Sequence, residues 1–312
     1  MATKKAEHSS GLIKALKFME LCGSEHCFIG SNQVTAYTNS VAVGHPIEED
    51  LNAIAHIKFL KNALLKSPLQ TKITQLELSK LQVDTGEFTV YVNAGAEYAH
   101  TSPDEFVGQL PASLGASLAS CLPLLVGNDS FGSAYLRNGS LFATNRRVLV
   151  EFWHGLHLPE LLIPKELIKV FSKTKKQLAG FGFSENSVTL YFSDGSWAMA
   201  RSKKPDWFEP YDFFNKTPNP VELSIEFAKA VSIIKPFCNE GKLYFIGNAI
   251  CSHSSYDGAK FNIASSTPKA VFMLKDIEFL LSKFKQFDCV SDATKWEFFG
   301  DNVRAVVALI EE

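Results

Sequence analysis

The sequence predicts an α+β protein made of three tandem modules, each with two helices packed on antiparallel strands. Three observations predict it. Segments with apolar residues at helical spacing alternate with runs of period two; one type of helix recurs with starts near residues 56, 164 and 274; and two polar, proline-bearing stretches divide the chain into thirds. A near-constant spacing of domain size points to repetition of a folding unit.

The first module opens with a helix over 11–22, where Leu12, Leu16 and Met19 share a face, and HCFIGSNQVTAYTNSVAVGHPI then supplies strands. Its second helix, over 56–67, buries Ile57, Leu60 and Leu64, ends at Pro68 and feeds the hairpin LELSKLQV, DTGE, FTVYVNA. The second module starts with a weaker helix over 104–125, interrupted by Pro111 and Pro123, and continues through SAYLRNGSLFATNRRVLVEFW. Pro164 then starts a helix over 164–176 with Leu167, Val170 and Phe171 as its apolar stripe. In the hairpin that follows, GFGF, SENS, VTLYFS, Val188, Leu190 and Phe192 alternate with Thr189, Tyr191 and Ser193, as a sheet with one buried face requires. The third module repeats the order: a helix over 220–237 (Leu223, Phe227, Val231, Ile234), the strands KLYFIGNAICSH and GAKFNIAS, a helix over 274–287 (Ile277, Leu280, Leu281, Phe284), and the hairpin WEFF, GDN, VRAVVALI. The linkers HTSPDE and FFNKTPNP place the modules at 1–102, 103–217 and 218–312.

Composition sets bounds on function. At 46% apolar and 21% charged residues the chain is a folded globular protein. Its 31 basic against 33 acidic residues exclude binding of nucleic acid by bulk positive charge, though not by a local basic surface. Six scattered cysteines without a CxxC pair, and no apolar leader after MATKKAEHSS, predict a reduced, cytoplasmic protein that does not enter a membrane. Asn128, Asn138 and Asn215 lie in N-x-S/T patterns that read as polar turns.

Charge is uneven along the chain. Within the predicted bounds the first helices carry +1, −2 and 0, and the second helices +3, +4 and +1. Lys165, Lys169, Lys173 and Lys176 fall at i, i+4, i+8 and i+11, one stripe beside the apolar one. Such a row is either a solvated lysine face or a track for phosphates.

Catalytic patterns are weak. His154 and His157 form HxxH without the glutamate of a metalloprotease, Gly180 and Gly182 open a strand and not a phosphate-binding helix, and NEGKL at Asn239 lacks the first glycine of a P-loop. No G-x-S-x-G elbow occurs. The expectation is a protein without cofactor or metal and not an enzyme, with a hydrolase site assembled across modules as a remote alternative.

The element order resembles the sliding clamp family, specifically the bacterial DNA polymerase III beta subunit. ATNRRVLVEF is similar to that family's Ala-Thr-Asp-Gly-His-Arg-Leu-Ala run, LLIPKELIKVF to its Ile-Val-Pro-Arg-Lys stretch, and KKPDWFEPYDFF to its Phe-Pro-Asp-Tyr exit from module two. The resemblance spans nearly the whole chain in element order and residues 141–214 in recognisable words. Arg146 stands where the family has glycine, and the chain is short, as a divergent, phage-encoded clamp would be.

The resemblance implies a ring with helices inside and sheets outside, formed by a homodimer around double-stranded DNA. It implies DNA contact through Lys14, Lys17, Lys58, Lys61, Lys165, Lys169, Lys173, Lys176 and Lys283. It also implies a cleft for peptides of a DNA polymerase and a clamp loader, bordered by Thr144, Arg146, Arg147, Leu149, Pro164, Ile168, Val306, Ala308 and Ile310. A monomeric clamp-fold adaptor that binds only proteins is the alternative.

Overall fold

A computed structural model describes residues 5–6, 10–66, 71–77, 80–93, 101–127, 129–238, 240–255 and 258–311. Pro68, Asn128, Asn239 and the start of the HTSPDE linker lie outside these. The fold is α+β. Its helices are α1 (Ser10–Met19), α2 (Ile57–Lys66), α3 (Ala112–Cys121), α4 (Lys165–Thr174), α5 (Ile225–Ile234) and α6 (Leu274–Leu281). They pack as the pairs α1 with α2, α3 with α4 and α5 with α6. The chain forms two compact units, Met1–Leu122 with Leu161–Lys204, and Pro123–Glu160 with Pro205–Glu312. Residues of the predicted middle module contribute to both.

Several helices are shorter than their sequence suggests, each for a local reason. Residues 104–110 are extended because Asp104 is held on the neighbouring strand: Ser187 Oγ and Thr189 Oγ1 donate to its carboxylate at 2.6 and 2.9 Å. The helix α3 therefore starts only after Pro111, which sits at its N-cap. At its other end α4 stops at Thr174, where Lys175 turns left-handed at φ 54°. The tail of the predicted 274–287 helix becomes the strand Gln286–Asp288, and the head of the 220–237 helix becomes the strand Val221–Glu222. LELSKLQV is two paired strands, Lys72–Glu77 and Lys80–Asp84, and not one.

In the first unit eight strands lie side by side in the order Ala53–His56, His26–Gly30, Gln33–Tyr37, Val41–Pro46, Trp197–Arg201, Ser187–Phe192, Leu178–Phe183 and Phe106–Gln109. The two halves meet where Trp197 pairs with Gly44. A Cβ on Gly44 would lie 2.2 Å from the indole, so only glycine admits the buried Trp197 there. Gly180 and Gly182 serve the same purpose against the strand Phe106–Gln109, the close backbone approach expected of GFGF. The helix α1 lays Leu12, Leu16 and Met19, all fully buried, on the strands Gln33–Tyr37 and Val41–Pro46. A second sheet of this unit runs Lys5–Ala6, Lys72–Glu77, Lys80–Asp84, Thr89–Asn93.

In the second unit the order is Ser133–Arg137, Ser140–Thr144, Val148–Trp153, Val303–Ala308, Lys295–Gly300, Gln286–Asp288, Val221–Glu222. Asn138 and Gly139, both at positive φ, make the tight turn that the sequence signals between its first two strands. A long ribbon, Lys242–Cys251 with Lys260–Met273, closes the core. There Trp296 meets Phe245 and Phe272 edge-on at 4.8 and 4.9 Å.

The buried Asp276 of α6 accepts from Asn145 Nδ2 and Arg147 Nε, both at 2.7 Å, tying that helix to the turn after Ser140–Thr144. Removing the carboxylate strands the buried Asn145 amide, while the exposed Arg147 can turn to water. Asp276→Ala is therefore expected to lower stability by about 2 kcal/mol. Lys285→Ala, which breaks the exposed pair with Asp301, should leave the stability nearly unchanged. Urea denaturation of the full chain checks the contrast.

Candidate nucleic-acid interface

Within the observed bounds, α1 carries Lys14 and Lys17, α2 carries Lys58, Lys61 and Lys66, and α4 carries Lys165, Lys169 and Lys173 against Glu166. All three belong to the first unit. In the second unit α5 balances Lys229 with Glu226, and α6 opposes Lys275 with Asp276 and Glu278. The expected excess on the third module's second helix is thus corrected to a net −1: Lys283 and Lys285 follow the helix, and Lys283 is exposed beyond its end. The acidic count for the middle module's first helix is corrected as well. Asp104 and Glu105 precede α3, which carries no charge.

The tertiary structure brings two lysine pairs together. Lys14 and Lys17 of α1 and Lys173 and Lys176 at the end of α4 line one cleft of about 330 Å³, with Phe18, Leu21, His45, Thr174 and Asp194. Lys14, Lys17, Lys58, Lys169 and Lys173 are exposed, Lys165 is half-buried, and Lys61 pairs with Glu20.

Lys176 corrects the four-lysine stripe. It lies two residues past α4, its ammonium donates to Ser196 Oγ at 2.7 Å and pairs with Asp194 Oδ2 at 2.8 Å, and it sits 3.9 Å over the Phe18 ring. Three lysines of the stripe remain on the helix at i, i+4 and i+8.

The knot around Lys176 has its own electrostatics. Burial alone would raise the Asp194 carboxyl, but hydrogen bonds from Lys176 and Ser196 prevail and hold it down at about 2. Burial pulls the Lys176 ammonium below the ordinary lysine range, against the opposing effect of Asp194. His45 is also lowered, first by burial, and its Nδ1 donates to the Pro46 carbonyl at 2.7 Å. Sequence reasoning missed Asp194, Ser196 and His45. The turn D-G-S at 194–196 reads only as a hairpin turn, and nothing local to it points to a lysine 18 residues earlier.

The peptide-cleft residues divide by burial and by unit. Thr144 and Leu149 are buried, and Leu149 faces Val306 across the strand pair. Ile168 is fully buried in the first unit, where Pro164 is half-buried at the start of α4. Ala308 is exposed and Ile310 half-buried, its N–H donating to the Val271 carbonyl at 2.9 Å. Arg147 holds Asp276, as above. Arg146 adopts φ 73°, a left-handed conformation that glycine takes most readily. Its guanidinium pairs with Asp129 and lies 5.5 Å over the Phe131 ring. His154 accepts from the Leu156 N–H through Nδ1, and among the described residues no group of three potential ligands gathers.

Because the Asp194 carboxyl titrates lower folded than unfolded, its contribution to stability is present above about pH 4 and is lost as pH falls through about 2. With 42% of the side chain exposed, solvent screening limits it to about 1 kcal/mol. The stability gap between the native protein and Asp194→Asn, measured by urea denaturation, should be full at pH 7 and close toward pH 2; a gap independent of pH contradicts the assignment.

No family model matches the sequence, and no curated relative matches it. Solved structures do. The DNA polymerase sliding clamp of Bacillus subtilis is similar with a TM-score of 0.80 at 13% identity, over 100% of both chains. A sliding clamp of Pseudomonas aeruginosa bound to griselimycin has a TM-score of 0.76 at 12% identity over 99% of both chains. The Helicobacter pylori beta clamp bound to a DNA ligase peptide has a TM-score of 0.76 at 9% identity over 100% of both. The chain has the fold of the bacterial DNA polymerase sliding clamps from one end to the other.

Proposed function

We propose that the protein is a DNA sliding clamp, a processivity factor that encircles duplex DNA and tethers a polymerase to it. The observation that carries this reading is the likeness in fold over the whole of both chains, at a TM-score of 0.80. The exposed lysines on α1, α2 and α4 support it, since a basic surface of this kind suits phosphate contacts that do not read sequence. In this reading the chain has modules at 1–102, 103–217 and 218–312, and acts as an accessory subunit without chemistry of its own.

Ring closure by a second copy fits two open sheet edges. Among the described residues the strand Thr89–Asn93 pairs only with Lys80–Asp84, and Tyr91 on it is 56% exposed. Among the described residues the strand Lys260–Met273 pairs only with Lys242–Cys251, and α5 beside it exposes Ile233 while Phe237 follows, 52% exposed. Unpaired edges with apolar neighbours favour association, and a closed ring removes them. Sedimentation at micromolar concentration should give a dimer for the native protein and a monomer for the double variant Ile233→Asp, Phe237→Asp. A native protein that is only monomeric supports the adaptor instead.

In this reading a clamp loader and the polymerase dock through short peptides on the second unit beside Ala308 and Ile310, as suits a fold whose Helicobacter pylori member is bound to a DNA ligase peptide. Leu149 is too deeply buried to serve as a probe, whereas Ala308 is exposed. Ala308→Asp is expected to keep the melting temperature and the dimer but to abolish stimulation of the cognate polymerase. Replacing Lys165, Lys169 and Lys173 by alanine should release the protein from circular duplex DNA at lower salt than the native ring. Unchanged retention across salt concentrations removes α4 from the interface.

A further inference from the structure

We propose that the exposed face of α2 is a stacking platform for an unpaired nucleotide of single-stranded DNA, with Phe59 as the ring on which the base lies. The proposal rests on the reading of the chain as a DNA clamp, and it adds a ligand that duplex binding does not require.

Phe59 is 60% exposed, an unusual place for a phenylalanine on a helix whose Ile57, Leu60, Ala63 and Leu64 are buried. The ring is braced from one side: it stacks on His56 with centroids 4.2 Å apart and planes 29° apart, and His26 meets His56 edge-on at 5.2 Å. A phenyl ring held by an imidazole in this way keeps one orientation and offers its open face.

Helical spacing then sets polar groups beside it. Phe59, Asn62 and Lys66 fall at i, i+3 and i+7 and share a face, and Lys58 precedes the ring. Asn62, Lys58 and Lys66 are exposed, and neither lysine makes an ion pair among the described residues, in contrast to Lys61, which is tied to Glu20. The helix carries three lysines and no acid.

The combination selects its occupant. A duplex offers phosphates to the lysines but keeps its base faces stacked inside, so the aromatic ring would go unused. An apolar protein surface would cover the ring but leave the lysines facing no anion. An unpaired strand satisfies both, with phosphates on Lys58 and Lys66 and a free base face on Phe59; Asn62 lies within reach of the base edge. Basic residues interleaved with a stacking ring are the chemistry of sequence-tolerant single-strand binding.

The test compares three fluorescent probes on the full-length protein at one low salt concentration: oligo(dT), an abasic single strand of the same length, and a duplex. Anisotropy titrations should show oligo(dT) bound more tightly than the abasic strand. Phe59→Ala is expected to weaken oligo(dT) about tenfold, to leave the abasic strand and the duplex within twofold, and to sediment as the native protein does. Phe59→Tyr, which preserves the stacking face, should keep the native preference. Equal binding of oligo(dT) and the abasic strand by the native protein, or equal loss of all three probes in Phe59→Ala, overturns the platform. Conversion of Phe59→Ala from dimer to monomer overturns it too, since the ring would then belong to the contact between copies. Failure of the native ring to stay on circular duplex DNA, with the oligo(dT) preference intact, would instead count against the clamp reading.

Discussion

The pairing of Val41–Pro46 with Trp197–Arg201 is the constraint on which the first unit depends. It joins residues more than 150 positions apart into one eight-stranded sheet, and it requires Gly44 because Trp197 fills the volume that any Cβ would occupy. The knot of Phe18, Lys176, Asp194 and Ser196 lies beside this pair and links α1 to the chain leaving α4. With the sheet register fixed, the lysines at the ends of the two helices must converge on one cleft.

The same knot shows why equal charges do unequal work. Lys173 and Lys176 are one helical turn apart in sequence, but the left-handed Lys175 ends the helix between them. Lys173 stands exposed to water on the surface of the helix. Lys176 spends its charge on Asp194 and its stem on Phe18, so it contributes to cohesion. Asp276 plays the corresponding part in the second unit: its carboxylate fastens α6 to the turn bearing Asn145 and Arg147, which leaves that helix without a net positive face.

Arg146 illustrates a side chain in a left-handed position that the fold accommodates. A side chain in the left-handed region costs roughly 1 kcal/mol relative to glycine. The Arg146 N–H donates to Thr144 Oγ1 at 2.9 Å, and its guanidinium holds Asp129 and covers Phe131, contacts that offset the cost. The exposed residue changes the surface at a place where a glycine would leave it bare.

The sequence by itself determined the α+β class, the six helices in order, the turn-centred hairpins and the concentration of lysine on particular helices, because periodicity and turn chemistry are local properties of the chain. GFGF was legible as a close approach of strands, and Arg146 as a misfit in a glycine position. Helix ends were less so: Asp104 reads as the acidic start of a helix until Ser187 and Thr189, more than 80 residues away, hold it in extended backbone. Only the tertiary structure decided which lysines are free, that Leu149 and Ile168 point into the core, and that Phe59 stands outside it braced by His56. Each of these depends on a neighbour brought close by the strand pairing, and pairing between distant segments is a property of the folded chain and not of any window of its sequence.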